Sequence, residues 1–383
     1  MKIGERDAWL ALAAIEGVGG GIMTRLVGRF GGAVEVLAAA RSGRLGRSPE
    51  RGGEGERMRP EVIAAVVAMA NDPQPALAAI ERLGLWTLTP MDAGYPSRFE
   101  VLSLPPPVLY GWGDPAALEP EFAAAIVGTR RPTPFGRAFA ARMARHLTGR
   151  GALIISGLAV GIDGAAHAAT LEAGGRTVAF IGASHESPGP RAHRALLRGI
   201  IERGGAVVSE LAPGKSGSKG MFPRRNRLLA ALGDVVLVIE APAISGAINT
   251  AHHALELGRP LFVAPGRPGD EATAGCLRVL RESPARLLVG TTELDEDLAA
   301  LGLGTLRPVA TGASASATAG LGEVERAVAN AIGRAPGSLE TVVARTGLPP
   351  GAVAGAVTLL QLRGLVRMVD GALLPMGALL DRP

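Results

Sequence analysis

Residues 123–163 read AAAIVGTRRPTPFGRAFAARMARHLTGRGALIISGLAVGID. An apolar run, AAAIVG (123–128), stops at a glycine; a helical pattern opens near Pro134; a second apolar run, ALIISG (152–157), follows. A strand apolar on both faces must be covered on both faces, and one helix between two such strands returns the chain parallel to its start. The alternation continues outward. TVAFIG (177–182), AVVSE (206–210), DVVLVIEA (234–241), PLFVAPG (260–266) and RLLVG (286–290) are the next expected strands, with helices opening near Asp163, Pro190, Arg225, Gly246 and Thr273. The expected fold class is α/β, a parallel sheet with helices on each side, whose ligand crevice is lined by the loops leaving the strand C-termini.

Those loops are GTRRPTPFG, SGLAVGID, GASHESPG, SELAPGKSGSKGMFPRRNR, APAISGAINT and APGRPGDE. They hold the residue types that bind phosphate: Gly128 and Arg130 in the first, Ser156 and Gly157 in the second, Ser245 and Gly246 in the fifth. Backbone N–H groups at a helix start attract anions, and arginine adds a bidentate fork. A dinucleotide fingerprint is absent, since the G-x-G-x-x-G spacing is missing and no acidic residue ends the second strand at Ile155. Ser156, Asp163 and His167 lack a G-x-S-x-G elbow, so helix capping by Asp163 and a packed His167 explain them better than catalysis. Glu240, at the end of VVLVIEA, is expected to order the Arg225/Arg227 cluster by ion pairing or to contact a ligand. No Cys/His spacing suits a metal, and no catalytic residue or cofactor is called for.

Charge singles out one segment. The chain carries +5 in total, yet residues 123–230 hold 16 Lys and Arg against 5 Asp and Glu, a surplus of 11. A basic segment in an otherwise acidic chain points to a polyanionic partner. Within it, KSGSKGMFPRRNR (215–227) packs five cations into 13 residues: Lys215, Lys219, Arg224, Arg225 and Arg227, with Asn226 among them. Two of the chain's three lysines lie here. So does Phe222, in a protein with only 3% aromatics, between residues that suit neither strand nor helix. A cationic groove with an exposed ring is how single strands are held, phosphates on Lys and Arg and a base stacked on the aromatic.

The rest of the chain frames this region. At 383 residues, two or three domains are expected. Residues 1–75 read as helices broken by GVGGG and by a polar loop, 80–295 as the sheet domain, 296–320 as a flexible linker and 321–383 as a compact unit of three helices and a hairpin turned by Asp370 and Gly371. The lone Cys276 fits a reducing compartment, and the N-terminal apolar stretch is too short and too broken by glycine for a signal peptide or membrane span. A cytoplasmic protein is expected. The third C-terminal helix has no charge from Gly351 to Leu362, which disfavours groove reading and favours protein contact.

Taken in order, the loops resemble the DNA-processing protein A (DprA/Smf) family. The resemblance runs through Tyr95 and Pro96, PPPVLYGWGD (105–114), VGTRRPTPFG (127–136), SGLAVGIDGAAHAATLEAGG (156–175), FPRRNRLLAAL (222–232), VVLVIEA (235–241), SGAINTAHHALELGR (245–259) and VAPG (263–266). It implies a Rossmann-like domain that binds single-stranded DNA, forms homodimers, and helps load the RecA recombinase during natural transformation, with no catalytic reaction and no membrane partner. It also implies a helix-hairpin-helix or SAM-like unit before the sheet domain and a winged helix after it. The family's DNA-contacting pocket maps onto Arg130, Lys219, Phe222 and the arginines of RRNR. The chain departs from the family pattern after GAS (182–184), where no tyrosine appears, and over 275–284, where Leu277 replaces an asparagine. The alternative reading is a nucleotide-binding or nucleotide-processing enzyme of a related Rossmann-like family, with Glu240 as its acid or base.

Overall fold

The computed structural model describes residues 3–45, 58–215, 221–303, 321–369 and 371–376. By Cα proximity these form two compact units, Met1–Ala144 with Ala152–Gly304, and Arg145–Gly151 with Thr305–Pro383. Among the described residues no single helix is long and apolar enough to cross a membrane.

The first unit opens with helices α1 (Glu5–Ala13), α2 (Gly20–Phe30), α3 (Ala33–Arg41), α4 (Pro60–Asn71) and α5 (Gln74–Arg82). Strands β1 (Trp86–Leu88), β2 (Leu109–Gly113) and β3 (Ala123–Gly128) follow, then α6 (Pro134–Gly149), β4 (Leu153–Ser156), α7 (Ile162–Glu172) and β5 (Thr177–Phe180). The chain continues through α8 (Arg194–Glu202), β6 (Ala206–Ser209), α9 (Met221–Leu232), β7 (Val235–Ile239), α10 (Gly246–Glu256), β8 (Leu261–Val263), α11 (Ala274–Glu282), β9 (Arg286–Leu287) and α12 (Thr291–Ala300).

All seven strands expected from the apolar runs form. They lie in one sheet, ordered β1-β2-β6-β5-β4-β3-β7-β8-β9, with β3 to β9 parallel. Strands β4 to β6 extend to one side of β3 and β7 to β9 to the other, so the topological switch falls between β3 and β7. The side chains of β3 to β8 are buried on both faces, as near-continuous Val, Ile, Leu and Ala require, whereas Leu287 of the edge strand β9 is exposed. Two further strands escape the sequence reading. β2 pairs antiparallel with β6, and β1 with β2, extending the edge. Glycine and tryptophan in LYGWG (109–113) obscure the strand pattern, yet Gly111 is where the Trp86 ring crosses, leaving no room for a side chain.

The N-terminal helices do not close a core of their own. Leu12, Met23, Val36 and Val66 share one apolar cluster with Val108, Tyr110 and Ala212 of the sheet region. Helix α5 therefore spans the expected boundary between 75 and 80, with Ile80 buried in that cluster. Helix α12 likewise runs past residue 295 into the stretch expected as linker, of which residues 304–320 lie outside the described residues.

The second unit contains α13 (Glu323–Arg334), α14 (Leu339–Thr346), α15 (Pro350–Leu362) and an antiparallel pair, β10 (Val366–Val369) and β11 (Ala372–Pro375). Val328, Ile332, Val353, Leu360 and Leu373 make its core. Three helices and a two-stranded wing match the expected winged helix. On α15, Leu362 is 80% exposed and Leu359 43%.

Candidate nucleic-acid interface

The loops at the C-terminal ends of β3, β4, β5 and β6 enclose a cavity of about 730 Å³. Its cations are Arg130, Lys215 and Arg225, its carboxylate is Glu186, and the glycines Gly157, Gly182, Gly189 and Gly214 are part of its wall. Among the described residues, Leu158 and Glu240 are the non-glycine residues with positive φ, at 58° and 48°. Both stand just after a parallel strand, where a chain leaving the sheet must turn sharply. Such turns cost about 1–3 kcal/mol each and persist when surrounding contacts hold them.

Those contacts can be traced. Gly157 and Ala159 donate their N–H groups to Asp163 Oδ2, at 3.1 and 3.4 Å. Asp163 is not the helix cap expected from the sequence: Gly161 occupies that place, with φ 94°, and Asp163 sits inside the first turn with its carboxylate turned back to the loop. Burial pushes the Asp163 carboxyl up, while the Arg225 charge and the loop N–H groups pull it down. Ser156 donates to Ile126 O at 2.6 Å, tying β4 to β3. The glycines fit the same packing. A Cβ on Gly157 would lie 2.6 Å from Asp163 Oδ2 and 2.7 Å from the Arg225 guanidinium, and one on Gly128 would overlap the Ile239 carbonyl.

Glu240 departs from its expected partners. Its carboxylate accepts from Thr133 N at 2.8 Å and from Thr133 Oγ1, at the start of α6, rather than pairing with Arg225 or Arg227. Together with Thr129 N donating to Glu240 O at 2.7 Å, this joins the two loops that flank the switch point. Ser245 caps α10 by accepting from Ile248 N at 3.3 Å, and Gly246 O accepts from Asn226 Nδ2 at 2.9 Å.

The helix expected near Arg225 begins four residues earlier, at Met221, so Phe222 stands in the first turn of α9 instead of in an irregular loop. Pro223, which reads as a breaker, is tolerated there because the first helical N–H groups have no intrahelical acceptor. The Phe222 side chain and Lys219 lie outside the described residues. Of the RRNR quartet, Arg224 is exposed. Its guanidinium reaches Gly19, coming 3.8 Å from where a Cβ there would be, so the α1–α2 hairpin borders the same basic surface. Arg227 pairs with Glu210. Asn226 is buried between Gly246 and Asn249.

Arg225 is 9% exposed. Its guanidinium donates to Gly157 O at 2.9 Å and to Phe180 O, clamping the ends of β4 and β5. Burial lowers its pKa to about 10; Asp163 opposes that shift and the like charge of Arg130 adds to it. Arg225 and Arg227 thus face protein acceptors; Arg130 and Arg224 are exposed. Lys215, expected among the phosphate-seeking cations, donates to Ala13 O at 2.8 Å and Ile15 O at 2.9 Å at the end of α1. Burial brings its pKa down to about 8, against the pull of Glu16.

His167 is packed, as its sequence context suggested, and bonds Thr177. Thr177 Oγ1 donates to Ile154 O and so must accept from His167 Nδ1, 2.7 Å away, which leaves His167 Nε2 as a buried acceptor without a partner. Desolvation, reinforced by the charges of His193 and Arg225, lowers the imidazole pKa to about 3. Among the described residues no group of three His, Cys, Asp or Glu could hold a metal ion.

Comparison with known proteins places these features. The family model for DNA recombination-mediator protein A matches residues 86–299, and that for the DprA winged helix domain matches residues 312–372. Protein Smf of Synechocystis is 34% identical over 308 residues, 79% of this chain and 75% of that protein. A putative DNA processing protein DprA of Mycobacterium tuberculosis is 37% identical over 65% of this chain and 63% of its own. DprA from Streptococcus pneumoniae, a solved structure, is 25% identical with a TM-score of 0.58, covering 78% of this chain and 98% of that one. DNA processing protein A from Helicobacter pylori is 31% identical with a TM-score of 0.51, covering 56% and 96%. The family model alone spans more than half of the chain, and its boundaries enclose the nine-stranded sheet, the switch-point crevice and the basic start of α9: the chain belongs to the DNA recombination-mediator protein A family.

Proposed function

We propose that the protein is a single-stranded DNA-binding recombination mediator acting without catalysis. Arg130, exposed at the edge of the strand-end cavity, Arg224 in the first turns of α9 and Lys219 just before it in the chain take phosphates; Phe222 stacks a base. Arg225, Asn226, Gly128, Ser156, Gly157, Ser245 and Gly246 shape the crevice that presents them. The observation that carries this reading is the meeting of Arg130 and the buried Arg225 at one cavity, where their like charges act on each other. A phosphate bound there relieves that repulsion. The reading is further supported by the Helicobacter pylori relative, whose structure is described as showing a single-stranded DNA binding mode.

On the family's pattern, we extend the proposal to protection of incoming strands, loading of RecA and a homodimeric state. The natural test is a mobility shift with oligo-dT against a duplex of equal length, using the full chain and a Lys219→Glu/Phe222→Ala variant. Preference for the single strand, and its loss in the variant, is expected. Equal binding to both, or no loss in the variant, would contradict the reading.

A further inference from the structure

Of the chain's 13 aromatic residues, all but Phe222 have described side chains, and among these Phe135 alone is mostly exposed to solvent, at 68%. It stands in the first turn of α6, two residues beyond Thr133 and its bonds to Glu240. It is not a mobile tip. Its ring lies parallel to that of Phe139, with centroids 5.7 Å apart and planes at 17°, and Phe139 is 4% exposed. The Arg142 guanidinium covers the Phe139 ring at 4.9 Å from its centroid. One helix face thus carries a stack of guanidinium, buried ring and outer ring, and the outer ring is exposed to solvent.

The surroundings are cationic. No Asp or Glu occurs between Glu121 and Asp163, and the arginines nearest Phe135 in the chain are Arg131 and Arg137. Arg130, Arg131 and Arg137 are exposed. Single exposed apolar residues are common on protein surfaces. An exposed ring backed by a second ring, with exposed arginines four positions before it and two after it in the chain, is different: it matches the face of a nucleobase whose phosphates meet the arginines.

We infer that Phe135 is a second base-stacking platform for a single strand, reached as the strand leaves the strand-end cavity past Arg130 and Arg131. This rests on the single-stranded DNA reading and extends its footprint from the start of α9 to the start of α6. Ring-to-base stacking tolerates any sequence, because every base has a π-face. The occupant is a base rather than an apolar protein surface, since burying a face beside the exposed Arg131 and Arg137 against a non-ionic partner would strip hydration from their charges with no phosphate in return.

Fluorescence titration of the full chain with oligo-dT, and with an abasic strand of equal length, separates the outcomes. Phe135→Ala is expected to weaken oligo-dT binding at least about fivefold, to leave abasic-strand binding unchanged, and to melt at the wild-type temperature; Phe135→Trp is expected to restore affinity. Photocrosslinking of the wild-type chain to a 5-iododeoxyuridine strand is expected to mark the peptide 131–137. Undiminished oligo-dT binding by Phe135→Ala, equal weakening on both strands, or crosslinks that avoid this peptide would overturn the inference while leaving the single-stranded DNA reading standing. A wild-type chain that fails to bind oligo-dT would overturn both.

Discussion

Arg225 and His167 show how much a residue's meaning depends on what encloses it. As letters, RRNR is a quartet with three equivalent cations. In the fold, Arg225 is spent on two carbonyls, Arg227 on Glu210 and Arg224 is exposed, because a helix turns successive side chains about 100° apart. His167 is held neutral by burial and by a second nitrogen with no partner. Its folded pKa, about 3, lies below the ordinary value of 6.5, so between those limits the unfolded chain binds a proton that the folded chain does not. Stability therefore rises with pH across that window and is lost as pH falls through it, with a slope of up to about 1.4 kcal/mol per pH unit for one such histidine. Urea unfolding at pH 7, 5.5 and 4.5 should show that loss, with a shallower dependence in His167→Gln. An unchanged dependence would mean that this imidazole does not titrate on unfolding. The charge surplus over 123–230 was legible from sequence. The division of labour among the arginines, and the exposure of Phe135, were not, since both depend on helix phase at α9 and α6.

At the level of elements, the parallel strands were readable because burial on both faces leaves nearly unbroken Val, Ile, Leu and Ala, where a strand with one wet face would alternate apolar with polar. Strands β1 and β2 were not, because an edge pair with Trp and Gly at its crossing has no clear alternation. The start of α9 was misplaced for a related reason: Gly, Met, Phe and Pro read as irregular, while proline is at home in a first turn. The fastening of the basic loop was also hidden. Lys215 reaches back about two hundred positions to the carbonyls of Ala13 and Ile15, a contact that sequence spacing cannot announce. Lys215→Met should leave those carbonyls without this donor, costing about 1–3 kcal/mol, and release residue 215 from the end of α1. A melting temperature lower by several degrees with weaker oligo-dT binding is expected. A variant unchanged in both would show that the clamp is not needed to hold the loop.

For the whole molecule, the N-terminal helices and the sheet form one unit with a shared apolar cluster, and the winged helix forms another. Three features of the first unit meet at the strand ends: the α1–α2 hairpin beside Arg224, the switch-point loops locked by Glu240, and the cavity flanked by Arg130 and Arg225. Their convergence is the basis for proposing a strand-holding surface. If Arg130, Lys219 and Arg224 each neutralise a phosphate, the logarithm of affinity for a single strand should fall against the logarithm of salt with a slope of about −2. The most direct test is an oligo-dT titration over a salt series with wild type and Arg130→Ala. The account predicts weaker binding by the variant at low salt and a slope shallower by about 0.7; identical slopes, with affinity unchanged, would contradict it.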